Sequence, residues 1–393
     1  MNPFRRIRLL SSLVMIAAVG LGCEREDVRS GQNSTWTVER DPALPTYKVV
    51  AYGDSIFSGY VPQQFDLGDV FELCGEHETA AGKKIFGKTP IARRAAPYVA
   101  GEYLSQKWNA NIKVVRRTRA NATALEILED KIVAEREFMQ SPDTRVVMFE
   151  MCGSNYLTAR RHLREQDSST ACNYDELDRA LAWCSTRMEQ AMQYINANAH
   201  PNVKAKVIMN LYYPNYNANN SLTSCTDPQT GMRVNMQDKF LPYLARSNWR
   251  ACHLAEQYGF ECADAFAGMM AADQDQGQDN DSVVDSEALR YISGESEEDY
   301  VHRITVTLRA TLRDASDHVD DQGISRDYMH DNDNIHPTFY GNTVNPDCDN
   351  FFSGTRMPEF GDLELEDGKN PEWNKKGHER LGWEISKLLP ASP

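Results

Sequence analysis

Five short apolar runs alternate along this chain with stretches of helical period, and that alternation restricts the fold more than any other feature. The runs are Tyr47–Tyr52, Ile112–Val115, Arg145–Met151, Lys204–Leu211 and Phe260–Ala263. Tyr47–Tyr52 reads as a buried strand and the other four as strands, each too short for a buried helix. Helical spacing is expected over 91–108, 123–139, 174–197 and 247–258. Strand, helix, strand in repetition predicts an α/β fold with a parallel sheet between two helical layers.

The chain has 393 residues, of which 41% are hydrophobic, enough for a substantial core. The sequence shows neither an internal repeat nor a second domain boundary, so the length beyond a small α/β domain is assigned to insertions near 213–246, 270–298 and 338–373. Formal net charge is −15. A surface so acidic is a poor match for phosphate backbones, which select positive faces, and nucleic acid is not expected as a partner.

Residues 1–22 read as an export signal: Arg5, Arg6 and Arg8 precede an apolar run from Leu9 to Leu21 that is too short to span a bilayer. Gly22-Cys23 resembles the end of a bacterial lipobox, although Gly20 stands where Leu is usual. That reading makes Cys23 the lipidated N-terminus of a membrane-anchored envelope lipoprotein, with residues 23–44 as a polar tether and the domain over 45–393. Ordinary cleavage after Gly20, giving a secreted protein, is the alternative. Nine cysteines less Cys23 leave eight, an even number that in an exported chain points to disulfides; Cys172–Cys184 and Cys252–Cys262 are the expected short-range pairs.

Three motifs fall just after the predicted strands or near the C-terminus. Gly53-Asp54-Ser55 follows the first strand, and its serine could attack a carbonyl if a base took its proton. Cys152-Gly153-Ser154-Asn155 closes the third, and an Asn side-chain amide there could donate to a developing oxyanion. Asp333-Asn-Ile-His336-Pro337 places an acid three residues before a histidine, where it could hold the imidazole tautomer that a base needs. A similar pair, Asp327 and His330, is passed over because Pro337 fixes the backbone after His336. Taken singly, each motif has a bland reading as a turn or cap. In a parallel sheet, however, ligands sit at the carboxyl ends of strands, where Ser55, Asn121 and Asn155 would all lie.

In this order the motifs resemble the SGNH or GDSL family of esterases and lipases, over roughly residues 45–390. The resemblance implies a three-layer α/β/α, flavodoxin-like sandwich with about five parallel strands. It also implies a serine esterase with Ser55 as nucleophile, His336 as base and Asp333 as triad acid, acting through an acyl-enzyme. An oxyanion hole of the Ser55 N–H, the Asn121 N–H and the Asn155 amide would follow, with no metal or organic cofactor. Asn121 stands where the family has a glycine, and Asn tolerates the left-handed backbone best among other residues. Tyr156 replaces an Asp that is outside the triad. Asn374-Lys-Lys-Gly377-His378 fits the stretch that opens the family's last helix, so His378 is a helix residue and not a catalytic one.

The substrate class implied is a small-molecule or glycan ester, either acyl or O-acetyl. A binding lipoprotein built on the same fold is the non-catalytic alternative. The acidic stretch 273–287 does not meet the end requirements of a calcium loop and reads as solvated. Tyr212, Tyr213, Tyr216, Phe339 and Tyr340 are candidates to line a pocket.

Overall fold

This computed structural model describes residues 33–59, 77–78, 84–85, 95–119, 121–167, 169–211, 222–270, 286–315 and 373–393. The predicted strands are present: β2 (Thr46–Gly53), β5 (Asn111–Thr118), β6 (Thr144–Phe149), β7 (Ala205–Met209) and β10 (Glu261–Ala263). They pair in parallel in the spatial order β10-β7-β6-β2-β5. Their Val, Ile, Met and Phe side chains are buried on both faces, as a sheet covered on two sides requires.

Helix α2 (Ala96–Trp108) and the C-terminal α10 (Trp373–Ser386) cover one face, where Leu104, Ile112, Val114, Leu381 and Ile385 share a core. The other face carries α3 (Ala124–Glu126) with its π-helical continuation over Ile127–Val133, then α4 (Gly153–Arg164), α5 (Asp175–Asn198) and α6 (Met236–Tyr258). Phe149, Leu163, Met188, Ile195 and Leu244 belong to that second core. This is the expected three-layer α/β/α architecture with five parallel strands.

The first parallel strand lies between the second and the third, so the crossovers leave β2 in opposite directions. The switch point, where α/β sheets bind ligands, therefore falls between β2 and β6 at their carboxyl ends.

Several expectations are corrected. Order begins before Tyr47: β1 (Ser34–Val38) adds antiparallel to β5, so part of the predicted 23–44 tether belongs to the sheet. Its alternating Ser-Thr-Trp-Thr-Val looks polar in sequence because the strand buries one side more than the other. The short pair β3 (His77–Glu78) and β4 (Lys84–Ile85) extends the sheet beyond it. Residues 213–246 are not all loop: β8 (Leu222–Thr226) and β9 (Arg233–Asn235) form a hairpin, and α6 starts at Met236, well before 247. Within 270–298, α7 (Ala265–Met270) ends, α8 (Ser286–Leu289) forms and α9 (Glu297–Ala315) begins. Residues 338–372 lie outside the described residues.

Cys252–Cys262 is bonded as expected, but Cys172 pairs with Cys225 and not with Cys184. The reason is local: the Cys172 N–H donates to the Thr226 carbonyl at 2.7 Å, laying Cys172 beside β8. Cys184 instead turns into the core and is free, as is Cys152. Among the described residues, no helix is long and apolar enough to cross a membrane.

Candidate active site

Ser55 opens a single helical turn, α1 (Ser55–Ser58), directly after β2. Asp54 caps the turn, its Oδ1 accepting the Ile56 N–H at 3.0 Å, and Gly59 ends it in the left-handed region at φ 70°. The Ser55 hydroxyl is half-buried and donates to Asp54 Oδ1 at 3.4 Å, a long contact that a stronger acceptor would displace. Beneath the turn, the buried Arg116 donates to the Ser58 carbonyl at 3.0 Å and to Ser34 Oγ at 2.8 Å.

The turn stands on a buried pair of acids that sequence reasoning missed. Glu150 follows β6 and is 1% exposed; Asp54 is 3% exposed. Glu150 Oε1 accepts the Asp54 N–H at 2.6 Å, and the Phe57 N–H also bonds to Glu150. Burial raises the pKa of the Asp54 carboxyl above the usual range. Burial and then the Asp54 charge push the Glu150 carboxyl well above the usual range, which favours its protonated form beside Asp54.

This pair explains both motif glycines. A Cβ on Gly53 would sit 2.6 Å from Glu150 Oε1, and one on Gly153 would sit 2.7 Å from Asp54 Oδ2. Each glycine makes room for the carboxyl that comes from the other loop. The available sequence signal was a charged residue closing an otherwise apolar strand, since a buried carboxyl requires a partner.

Asn121 follows β5 and is exposed, with φ 58°, in the left-handed region that Asn tolerates better than most residues with a side chain. A capping box holds the loop: Thr123 Oγ1 accepts the Glu126 N–H, and Glu126 Oε2 accepts the Thr123 N–H at 2.8 Å. Asn155 lies in the first turn of α4, behind Cys152, which takes φ 87° without being glycine. Its Oδ1 accepts the Ala124 N–H at 2.9 Å. That bond fixes the amide and ties the β6 loop to the β5 loop, leaving the NH2 end directed away from Ala124.

The structure thus gathers Ser55, Asn121 and Asn155 at the ends of three adjacent strands. Asp333 and His336 lie outside the described residues, as do Cys23, Tyr212, Tyr213, Tyr216, Phe339, Tyr340 and the acidic residues 273–285. His378 is a buried residue of α10 whose Nδ1 accepts the Ala96 N–H at 3.3 Å, capping α2.

Fold and strand-end loops define the class: an α/β/α sandwich of flavodoxin-like strand order with a polar site at its switch point. No protein-family model matches the chain, and no curated protein sequence does. Among solved structures it is similar to the lipase Lip_vut3 from a goat rumen metagenome, at 14% identity over 67% of this chain and 97% of that one, with a TM-score of 0.37. An extracellular lipase from Streptomyces rimosus matches at 14% identity over 66% and 99% of the two chains, TM-score 0.36. A catalytic mutant of an acetylxylan esterase from Geobacillus stearothermophilus matches at 16% identity over 68% and 93%, TM-score 0.34.

Proposed function

We propose that this chain is an exported serine esterase, anchored through a lipid on Cys23, that hydrolyses carboxylic esters of the acyl or O-acetyl type. Ser55 attacks the ester carbonyl and His336 accepts its proton. His336 later returns a proton to the leaving alcohol, while Asp333 orients the imidazole and stabilises its charged form. Water, giving its proton to His336, then attacks the acyl-enzyme, and His336 returns that proton to the Ser55 oxygen as the carboxylic acid leaves. The developing oxyanion is held by the N–H groups of Ser55 and Asn121 and by the Asn155 amide.

The observation that carries this reading is the convergence of Ser55, Asn121 and Asn155 at the switch point, with Asn155 Oδ1 committed to Ala124 so that its NH2 is free to serve. A lone turn serine has no use for such neighbours. Hydrolysis of p-nitrophenyl acetate tests the reading. Ser55→Ala and His336→Ala should each lower kcat by about 10⁴-fold or more with the fold intact. Turnover retained by Ser55→Ala would remove the nucleophile and the reading with it.

A further inference from the structure

Six cysteines fall among the described residues, and two disulfides, Cys172–Cys225 and Cys252–Cys262, use four of them. The two left over, Cys152 and Cys184, face each other. Each is 0% exposed, and both belong to the core that holds Met151, Tyr156 and Met188. Their thiols are in hydrogen-bonding contact there. An environment that oxidises the first two pairs also acts on a third whose sulfurs already touch. No group of three or more His, Cys, Asp or Glu side chains among the described residues is arranged to hold a metal, so the pair is not part of a ligand set there.

Cys152 also occupies a backbone that does not suit it. Its φ of 87° lies in the left-handed region, where a Cβ crowds the chain and glycine is the usual residue. The strain sits at one link, between the end of β6 and the first turn of α4, which carries Asn155. A cysteine that costs more than glycine at this link is accounted for by what its sulfur reaches. It reaches α5, a helix of 24 residues that buries Leu177, Cys184, Met188 and Ile195.

We infer that Cys152 and Cys184 are the site of a third disulfide, which fastens the strand-end loop bearing Asn155 to α5. In the structure the sulfurs touch without a bond; closing one brings them to about 2.0 Å, a movement on the order of 1.5 Å. The oxidant is a disulfide compound, for which glutathione disulfide serves in solution. One protein thiol gives up its proton and attacks a sulfur of that disulfide, releasing one glutathione thiolate. The second, deprotonated in turn, attacks the protein sulfur of the mixed disulfide and releases the other glutathione thiolate. Two electrons thus pass to glutathione disulfide, and the two released thiolates take up the two protons. Burial pushes the Cys152 thiol well up, so exchange takes place while the core is still forming, and the finished bond is shielded from reductants. The bond stands apart from the esterase reading; its effect on turnover rests on that reading.

The test folds the full chain in a glutathione and glutathione disulfide buffer, denatures it in guanidinium with N-ethylmaleimide, and digests it with trypsin without reductant. Cleavage after Arg160 and Arg179 puts Cys152 and Cys184 on separate peptides. The two peptides should appear joined, with maleimide on neither cysteine. Alkylation of both, in a digest that contains the Cys172–Cys225 link, would overturn the inference. This map needs no variant, so it decides the bond by itself. Cys184→Ala should leave Cys152 open to alkylation after denaturation and lower the melting temperature by about 5 °C. It should also lower kcat on p-nitrophenyl acetate about threefold, with KM little changed. Folded and assayed in dithiothreitol, wild type and Cys184→Ala should turn over alike. An equal kcat without reductant, or a gap that persists in dithiothreitol, would overturn the coupling of the bond to the Asn155 loop. Wild-type protein that joins the two peptides but turns over no p-nitrophenyl acetate would refute the esterase reading and leave the bond established.

Discussion

Glu150 Oε1 accepts the backbone N–H of Asp54 at 2.6 Å, and through that bond the strand bearing the Asn155 loop supports the turn bearing Ser55. The pair holds a proton that the unfolded chain gives up. Both carboxyls are raised by burial, Glu150 the more, whereas unfolded carboxyls titrate near pH 4. Wherever the folded state binds more protons, stability falls as pH rises. The contribution is therefore complete below about pH 4 and is lost as pH climbs toward the folded-state value. Glu150→Gln keeps an acceptor for the Asp54 N–H and removes the carboxyl proton. The unfolding free energy of wild type relative to Glu150→Gln should decline from pH 4 to pH 8 in urea melts. A difference that does not change with pH would contradict the protonated pair.

The glycines that flank this pair are expected to be intolerant of a single methyl group. Gly153→Ala drives a Cβ to 2.7 Å from Asp54 Oδ2. Both neighbours are fixed by buried hydrogen bonds, so the strain should cost about 1–3 kcal/mol. Thermal melts would show it, together with a fall in kcat as the turn shifts. Wild-type stability in Gly153→Ala would mean that the carboxyl is not held where the structure has it.

Asn155 separates positioning from catalysis. Asn155→Asp retains an oxygen for the Ala124 N–H and so preserves the link between the loops, but it has no NH2 to donate. On a short-chain ester, kcat should fall by about 10²–10³-fold, the scale of one lost oxyanion donor, with KM little changed. A kcat within twofold of wild type would exclude the side chain from the oxyanion hole.

The Cys172–Cys225 bridge closes a loop with a sequence separation of 53, for which chain entropy alone gives about 4 kcal/mol. Replacing both residues with Ala should cost about 2–4 kcal/mol in denaturant melts. Non-reducing peptide maps should yield Cys172–Cys225 and Cys252–Cys262 links, and a Cys172–Cys184 link would contradict the arrangement.

Much of the fold could be read from the sequence because buried parallel strands are written as apolar runs. Tyr47–Tyr52 and Arg145–Met151 announce β2 and β6 without help from the rest of the chain. Ser34–Val38 announces nothing, since its partner β5 lies far along the chain and one of its sides is buried more than the other. The α6 start was hidden because residues 213–246, rich in Asn and Tyr, show no clear helical period. Asn121 and Asn155 were legible as strand-end residues. Glu150 was not, because its role depends on Asp54, nearly a hundred residues away, and on two glycines that make room for it. The cysteine pairing failed for the same reason: proximity in sequence placed Cys172 with Cys184, but the β8 hairpin brings Cys225 nearer.

Covalent labelling by a fluorophosphonate tests the central claim most directly, because only a serine activated by a base reacts. Peptide mapping should place the adduct on Ser55 in the wild-type protein and find none in Ser55→Ala or His336→Ala. A folded wild-type protein that takes up no label, as a binding lipoprotein would, or one labelled equally well without His336, would contradict it.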